Sequence, residues 1–412
     1  MAAGLNSEEA NAANEVTGSE RTALFNDPKT RSLIIQITII AIFVYAVWFL
    51  VSNTIDNLKA QEKGFGFGFM NNAAGFDVNQ TLVDYSRESS FWRVYLVGLL
   101  NTLLVAVSGV FAATLIGFSI GVARLSKNWI VSKIAYCYVE AMRNIPLLLW
   151  IFIFYFGVLR LLPDKKQPYG TSLDGALGYL SIGGWIAPKP VAGDLLWLTG
   201  LALIIGIVAT LVLSKWSDKR QMATGQQFPK GWAALGLIVG LPLVVFVATS
   251  LLATNMPLSF DYPKIGRFGA RGGLPILPEF IALLVALTIY TSAFIAEIVR
   301  AGILAVNKGQ SEASYALGLR VKPTLNLVVI PQALRIIIPP LTNQYLNLTK
   351  NSSLAVAIAY PELVSIFAGT ALGQSGREVE IILITMLTYL TLSLLTSSFM
   401  NWYNGRVALV ER

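Results

Sequence analysis

Asn343, Asn347 and Lys350 recur at i, i+4 and i+7 of an otherwise apolar stretch, so on a helix they form one polar stripe. The next residues, Asn351-Ser352-Ser353, are poor helix formers whose side chains can bond to their own backbone, and they predict a break. An ammonium group beside a helix break, with amides and hydroxyls around it, suits a carboxylate ligand, and the dipole of a following half-helix attracts an anion further. The expectation is that Lys350 binds such a carboxylate, with Asn343, Asn347, Ser352 and Ser353 supplying hydrogen bonds. The competing reading has Lys350 snorkelling or bridging helices. A helix starting at Pro339-Pro340 rises roughly 15 Å by Lys350, which places the ammonium near the middle of a bilayer.

A second polar constellation, Val306–Pro331, lies between two apolar runs and carries Lys308, Glu312, Arg320 and Lys322. Ser311 is expected to cap a short helix beginning at Glu312, whose carboxylate would face the positive dipole end, while Gly318 suits the left-handed C-terminal position. Such a helix is about 10 Å long and needs support from its surroundings. Its small face, Ala313, Ser314 and Ala316, suits close approach by another protein. On periodicity alone, the simpler reading is a capped connector. Glu297 and Arg300, and likewise Glu140 and Arg143, stand three apart near the ends of apolar runs and are read as structural ion pairs.

Other chemistry is excluded by what is missing. The chain has no histidine and a single cysteine, Cys137, which removes the commonest metal ligand, the commonest general base and any internal disulfide. No Gly-x-x-x-x-Gly-Lys-Ser/Thr phosphate loop occurs, so ATP hydrolysis, if used, is expected from a partner. The net charge of +8 does not argue for nucleic acid, because Lys and Arg sit mainly in short loops beside apolar runs, where they orient spans.

The elements that must position these residues are membrane helices. With 55% hydrophobic and 13% charged residues and a mean hydropathy of +0.62, the 412-residue chain is expected to be an all-α integral membrane protein. Runs long enough to cross a hydrocarbon core of roughly 30 Å fall near 32–51, 94–122, 131–158, 194–213, 232–252, 276–304, a broken one at 337–367, and 380–402. No carboxylate is expected near the centre of a span. Basic residues in the loops 123–130 and 214–231 and in the stretch 306–331 place these on the cytoplasmic side, with both termini. The first thirty residues are polar, lack an apolar signal core and are read as a cytoplasmic tail. The Gly64–Phe69 repeat reads as an outer loop. The chain divides into a tail (1–31), a first helix and outer segment (32–93), a first core part (94–160), an insertion with two helices (161–275), a second core part (276–402) and a C-terminal tail (403–412).

Glu312-Ala313-Ser314, then Gly318, then Val328-Val329-Ile330-Pro331, resembles the EAA loop of ABC importer permeases, with Ser314, Val328 and Ile330 as small departures. The stretches Gly98–Ser126, Tyr138–Gly157, Ile289–Gln310 and Leu346–Leu363 are similar to the polar-amino-acid branch of that family, most of all to its Q-type general L-amino acid permeases. The resemblance covers roughly half the chain. It implies a type I, MetI-like permease core, here with an additional N-terminal helix and an insertion carrying two more. It also implies alternating access and an EAA loop (Gly309, Gln310, Glu312, Ala313, Ser314, Leu317, Gly318) that couples to two cytoplasmic ATPase subunits, which bind the ATP and Mg. A second, related permease, an external amino-acid-binding protein and an L-amino acid substrate follow from the same likeness, in a bacterial inner membrane. Lys350 and its neighbours resemble the Lys-Asp-Thr-Ser-Leu motif of the translocation path, with Asn351 in place of the acid and Ser352 in place of Thr. The rival reading is an ion-coupled secondary transporter, which also uses broken helices; a channel-like or purely structural subunit is a third.

Overall fold

The computed structural model describes residues 28–60, 65–170, 176–226, 228–252, 256–266 and 269–407. The chain forms two units, Met1–Phe69 and Met70–Arg412. The first contains α1 (Pro28–Ala60), apolar on every side as a helix surrounded by lipid or by other membrane helices must be. The tail expected at 1–31 lies almost wholly outside the described residues, as does Gly64 of the Gly-Phe repeat.

The second unit is a helical bundle. Its helices are α2 (Phe91–Arg124), α3 (Trp129–Asn144), α4 (Leu147–Phe152), α5 (Leu196–Thr224), α6 (Lys230–Leu235), α7 (Leu241–Leu252), α8 (Pro278–Leu304), α9 (Lys308–Ala316), α10 (Val321–Thr324), α11 (Ile330–Asn351), α12 (Leu372–Ser375) and α13 (Glu378–Val407). Each expected apolar run is helical, one of them as a bent pair, and among the described residues seven helices, or eight counting that pair, are long and apolar enough to span a membrane. α13 continues to Val407, so the C-terminal tail starts later than residue 403.

Three elements differ from the sequence reading. The expected third span bends by 104° between Asn144 and Leu147, where Pro146 disfavours an α conformation at Ile145, whose ψ is 130°. α4 then winds through a π-turn at Ile153–Val158 and a 3-10 turn at Leu159–Leu161. Pro339 and Pro340 do not begin a helix but lie inside α11, on an exposed stretch. The insertion carries the two expected helices and, beyond that reading, contains seven short strands among its described residues. β1 (Tyr179–Ser181), β2 (Gly184–Ala187) and β7 (Leu274–Ile276) form one antiparallel sheet. β3 (Lys189–Ala192) pairs with β4 (Leu258–Asp261), and β5 (Lys264–Gly266) with β6 (Gly269–Arg271). β2 pairs Trp185 with Ile276, so the insertion closes on itself where it leaves and rejoins the core. Gly184 permits this closure: its φ is +99°, and a Cβ there would lie 2.2 Å from the Ile276 carbonyl. Beyond the sheet, α5 packs on α6 and α7 rather than on the core helices.

The core is centred on α2 and α8. Gly117 and Gly121, four apart on α2, face α8 so closely that a Cβ on Gly117 would lie 2.6 Å from Ile295 Cβ, and one on Gly121 2.7 Å from the Ala296 carbonyl. This is the small-x-x-x-small contact by which membrane helices gain dispersion attraction without a hydrophobic driving force. At the same end, the Glu297 carboxylate accepts from Arg124 of α2 and, at 2.6 Å, from Arg300 of α8. The expected Glu297/Arg300 pair therefore exists and is part of an interhelical bridge. The Glu140/Arg143 pair does not form: Glu140 accepts from the Asn144 side-chain amide, and the Arg143 guanidinium lies 5.2 Å from the Phe294 ring centroid.

Gly121→Val is expected to destabilise the solubilised chain by about 1–3 kcal/mol through overpacking against α8, read as a lower midpoint of thermal unfolding. Gly200→Ala, inside α5 with nothing within 4 Å of the new Cβ, should not lower the midpoint.

Candidate functional site

Two sites are built on the helices that follow α2. The first is the polar segment after α8. Its helix starts at Lys308, not at Glu312, because Asn307 rather than Ser311 is the cap; the Asn307 Oδ1 accepts from Gly309 N at 2.8 Å. Asn is among the strongest caps, and here it precedes Ser311 in the chain. Glu312 consequently sits mid-helix rather than in the first turn. Gly318 does take the left-handed conformation, with φ +79°, and Leu319 N donates to Ser314 O at 3.1 Å to close the end.

The exposed face differs from the small face read from the sequence. Ser314 points inward, buried, with its hydroxyl donating to Gln310 O at 2.7 Å. Gln310 in turn accepts from Gln332 at the start of α11. Gly309, Gln310, Glu312, Ala313, Ala316, Leu317 and Gly318 are exposed, Leu317 to 82%. An apolar side chain so exposed at the end of a nine-residue helix, about 14 Å long, calls for a covering surface that this chain does not provide among its described residues.

The second site is the break after α11. The helix ends at Asn351 and tightens into a 3-10 segment, Ser352–Ile358, as the run Asn351-Ser352-Ser353 predicts. Asn343, Asn347 and Lys350 share an exposed face. Because α11 begins at Ile330, Lys350 stands about 30 Å from its start, twice the rise expected from the proline pair. Lys350 and Ser353 line a recess of about 340 Å³ with Val364, Tyr389, Leu390 and Ser393. Asn343 and Asn347 do not line it. Ser352 does not either: it is fully buried, and its hydroxyl donates to Thr349 O at 2.6 Å.

Sequence reading missed the groups that hold this site. Beyond Ala359, which has a φ of +57°, the chain turns back into a π-helix at Leu363–Ala371. Glu362, fully buried, caps it by accepting from Val364 N at 2.8 Å and Ser365 N at 2.7 Å, and it also accepts from the Tyr389 hydroxyl at 3.1 Å. Asn101 of α2 donates to Pro361 O at 2.8 Å, and Thr102 accepts from Leu363 N at 3.1 Å. The signal was present in Pro361-Glu362 before an apolar run, the pattern of a helix start. Its partners on α2 are some 260 residues away and carry no local signature. Tyr389 thereby joins Glu362 to the recess of Lys350.

The arrangement offers a cationic recess at a helix break and an exposed short helix between two membrane-length helices. Residues 113–409 match the family described as binding-protein-dependent transport system inner membrane component. The general L-amino acid transport system permease protein AapQ of Rhizobium johnstonii is 52% identical over 96% of each chain. The putative amino-acid ABC transporter permease protein YhdX of Escherichia coli is 47% identical over 94% of this chain and 97% of that one. The glutamate/glutamine/aspartate/asparagine transport system permease protein BztB of Rhodobacter capsulatus is 42% identical over 96% of this chain and 98% of its own. This chain belongs to the family of inner membrane components of binding-protein-dependent transport systems, the permeases of ABC importers.

Proposed function

We propose that this permease forms the translocation path of a broad-specificity importer of L-amino acids in a bacterial inner membrane, with both termini cytoplasmic. The observation that carries the reading is the capped, exposed helix α9, presenting Glu312, Ala313, Ala316 and Leu317 between two membrane-length helices. Two copies of a separate ATPase grip α9 on the cytoplasmic side, and their closure on ATP moves this chain and a second, related permease between inward- and outward-facing states. A binding protein delivers the amino acid to the opposite face. The chain has no phosphate loop of its own, which supports a motor on another subunit. Its full-length likeness to amino-acid permeases supports the substrate class and disfavours a secondary transporter.

Lys350 holds the substrate carboxylate in the recess after α11. Tyr389 and Ser393 join Ser353 as the neighbouring hydroxyls in place of Ser352, while Asn347 and Asn343 continue the polar face along the helix. With no acid at position 351, the segment carries a net positive group, which suits anionic and zwitterionic substrates.

Copurification tests the coupling site. Gly318→Val, strained at φ +79°, and Glu312→Arg should each release the ATPase and reduce uptake by about tenfold or more, with the permease still inserted in the membrane. Retention of the ATPase by both, or sodium- or proton-driven uptake by the isolated chain, contradicts the reading. Lys350→Ala removes a charge-assisted contact, so uptake at low substrate should fall by about ten- to a hundredfold while the complex still assembles; near-normal transport eliminates the role of Lys350.

A further inference from the structure

At the other end of α8 from the coupling segment, Tyr155, Phe156, Leu159, Arg160, Ile182 and Pro278 line a cavity of about 470 Å³. Small-molecule sites occupy roughly 300–1,000 Å³. The walls come from three places: the π- and 3-10 turns that end α4, the β1–β2 turn of the insertion, and the first residue of α8. A π-turn is a costly irregularity that is often kept where a site needs it. Glu279, next to Pro278, accepts from the Tyr155 hydroxyl at 2.8 Å. Arg160 is exposed, with its guanidinium 5.8 Å from the Phe156 ring centroid.

Neither charge forms an ion pair with the other or with another charged group among the described residues. Each is held instead by an aromatic neighbour, Glu279 by the Tyr155 hydroxyl and Arg160 by the Phe156 ring. Arg160 lines the cavity, and Glu279 follows its lining residue Pro278 with its carboxylate on the hydroxyl of the lining Tyr155; opposite charges flanking an aromatic-walled cavity match the two ends of a zwitterion, with aromatic and aliphatic surface left for a variable side chain.

We propose that this cavity is a second amino-acid site, in which Arg160 binds the α-carboxylate and Glu279 the α-ammonium of a free L-amino acid. It shares no lining residue with the recess of Lys350. The proposal rests on the reading of the chain as an amino-acid importer and adds to it a place at the outer end of the path where the backbone groups common to all L-amino acids are recognised. Recognition by those groups alone suits broad specificity. The insertion contributes through Ile182, so part of its role is to build this cavity.

The test is equilibrium binding of tritiated L-alanine to the assembled transporter in lipid nanodiscs, with propionate and L-alaninamide as competitors that each lack one of the two charges. In a Lys350→Ala background one binding component should remain. Arg160→Gln or Glu279→Gln should weaken it by about tenfold or more, Arg160→Lys should largely preserve it, and neither competitor should displace L-alanine well. A remaining component indifferent to both neutralising substitutions overturns the site, as does loss of all binding in Lys350→Ala alone. If the wild-type transporter neither binds nor imports any L-amino acid, the transport reading fails and the site with it; uptake without a component dependent on Arg160 removes the site alone.

Discussion

The close contact of α2 with α8 is the constraint on which the rest of the structure depends. Two glycines let the backbones approach until only hydrogen fits between them and Ile295 or Ala296, and Glu297 then ties Arg124 to Arg300 at one end of the contact. A buried or partly buried carboxylate between two guanidiniums is costly to desolvate unless both partners stay in place. The contact and the bridge therefore fix one another. α8 is held as a rigid strut with α9 after one end and the cavity lined by Arg160 and Pro278 at the other. On the importer reading, a force applied at α9 reaches the core through a helix that cannot slide freely past its neighbour.

The same α2 helix supports the second half of the path. Asn101 and Thr102 bind the backbone at Pro361 and Leu363, and Glu362 satisfies the free N–H groups at the start of the π-helix. Inside a membrane protein each of those groups would otherwise go unpaired at a cost of several kcal/mol. This network allows the chain to break after Lys350 and turn back without exposing bare backbone, and Tyr389 connects the network directly to the recess. Irregular backbone at such a place is tolerated because protein side chains replace the missing ladder.

The insertion follows a different logic. Its strands form nested antiparallel pairs that bring the departing and returning chain together, and its two apolar helical legs then pack on each other. Gly206 makes that packing tight, since a Cβ there would lie 2.1 Å from the Leu237 carbonyl. A large elaboration can be accommodated in this way without disturbing α4 or α8, because it is anchored only at its base.

How much was legible in the residue order follows from the range of the interactions. Composition and apolar runs determined the membrane class and the place of the membrane-length helices, though not the bend in the third run, because a bilayer-spanning helix satisfies its own backbone and needs only length and hydrophobicity. The left-handed turn at Gly318 and the break after Asn351 were equally readable, since both arise within a few residues. Where two local signals competed, the structure chose: Asn307 over Ser311 as cap, and a continuous α11 through Pro339 and Pro340. The inward turn of Ser314 and Ser352, the choice of Arg124 as a partner of Glu297, the capture of Glu362 by Tyr389 of α13 and that of the flanking Pro361 and Leu363 backbone by α2 were decided only by the tertiary structure. They depend on which face of each helix meets which neighbour. Contacts across 173 or 261 residues leave no periodicity for a sequence to display.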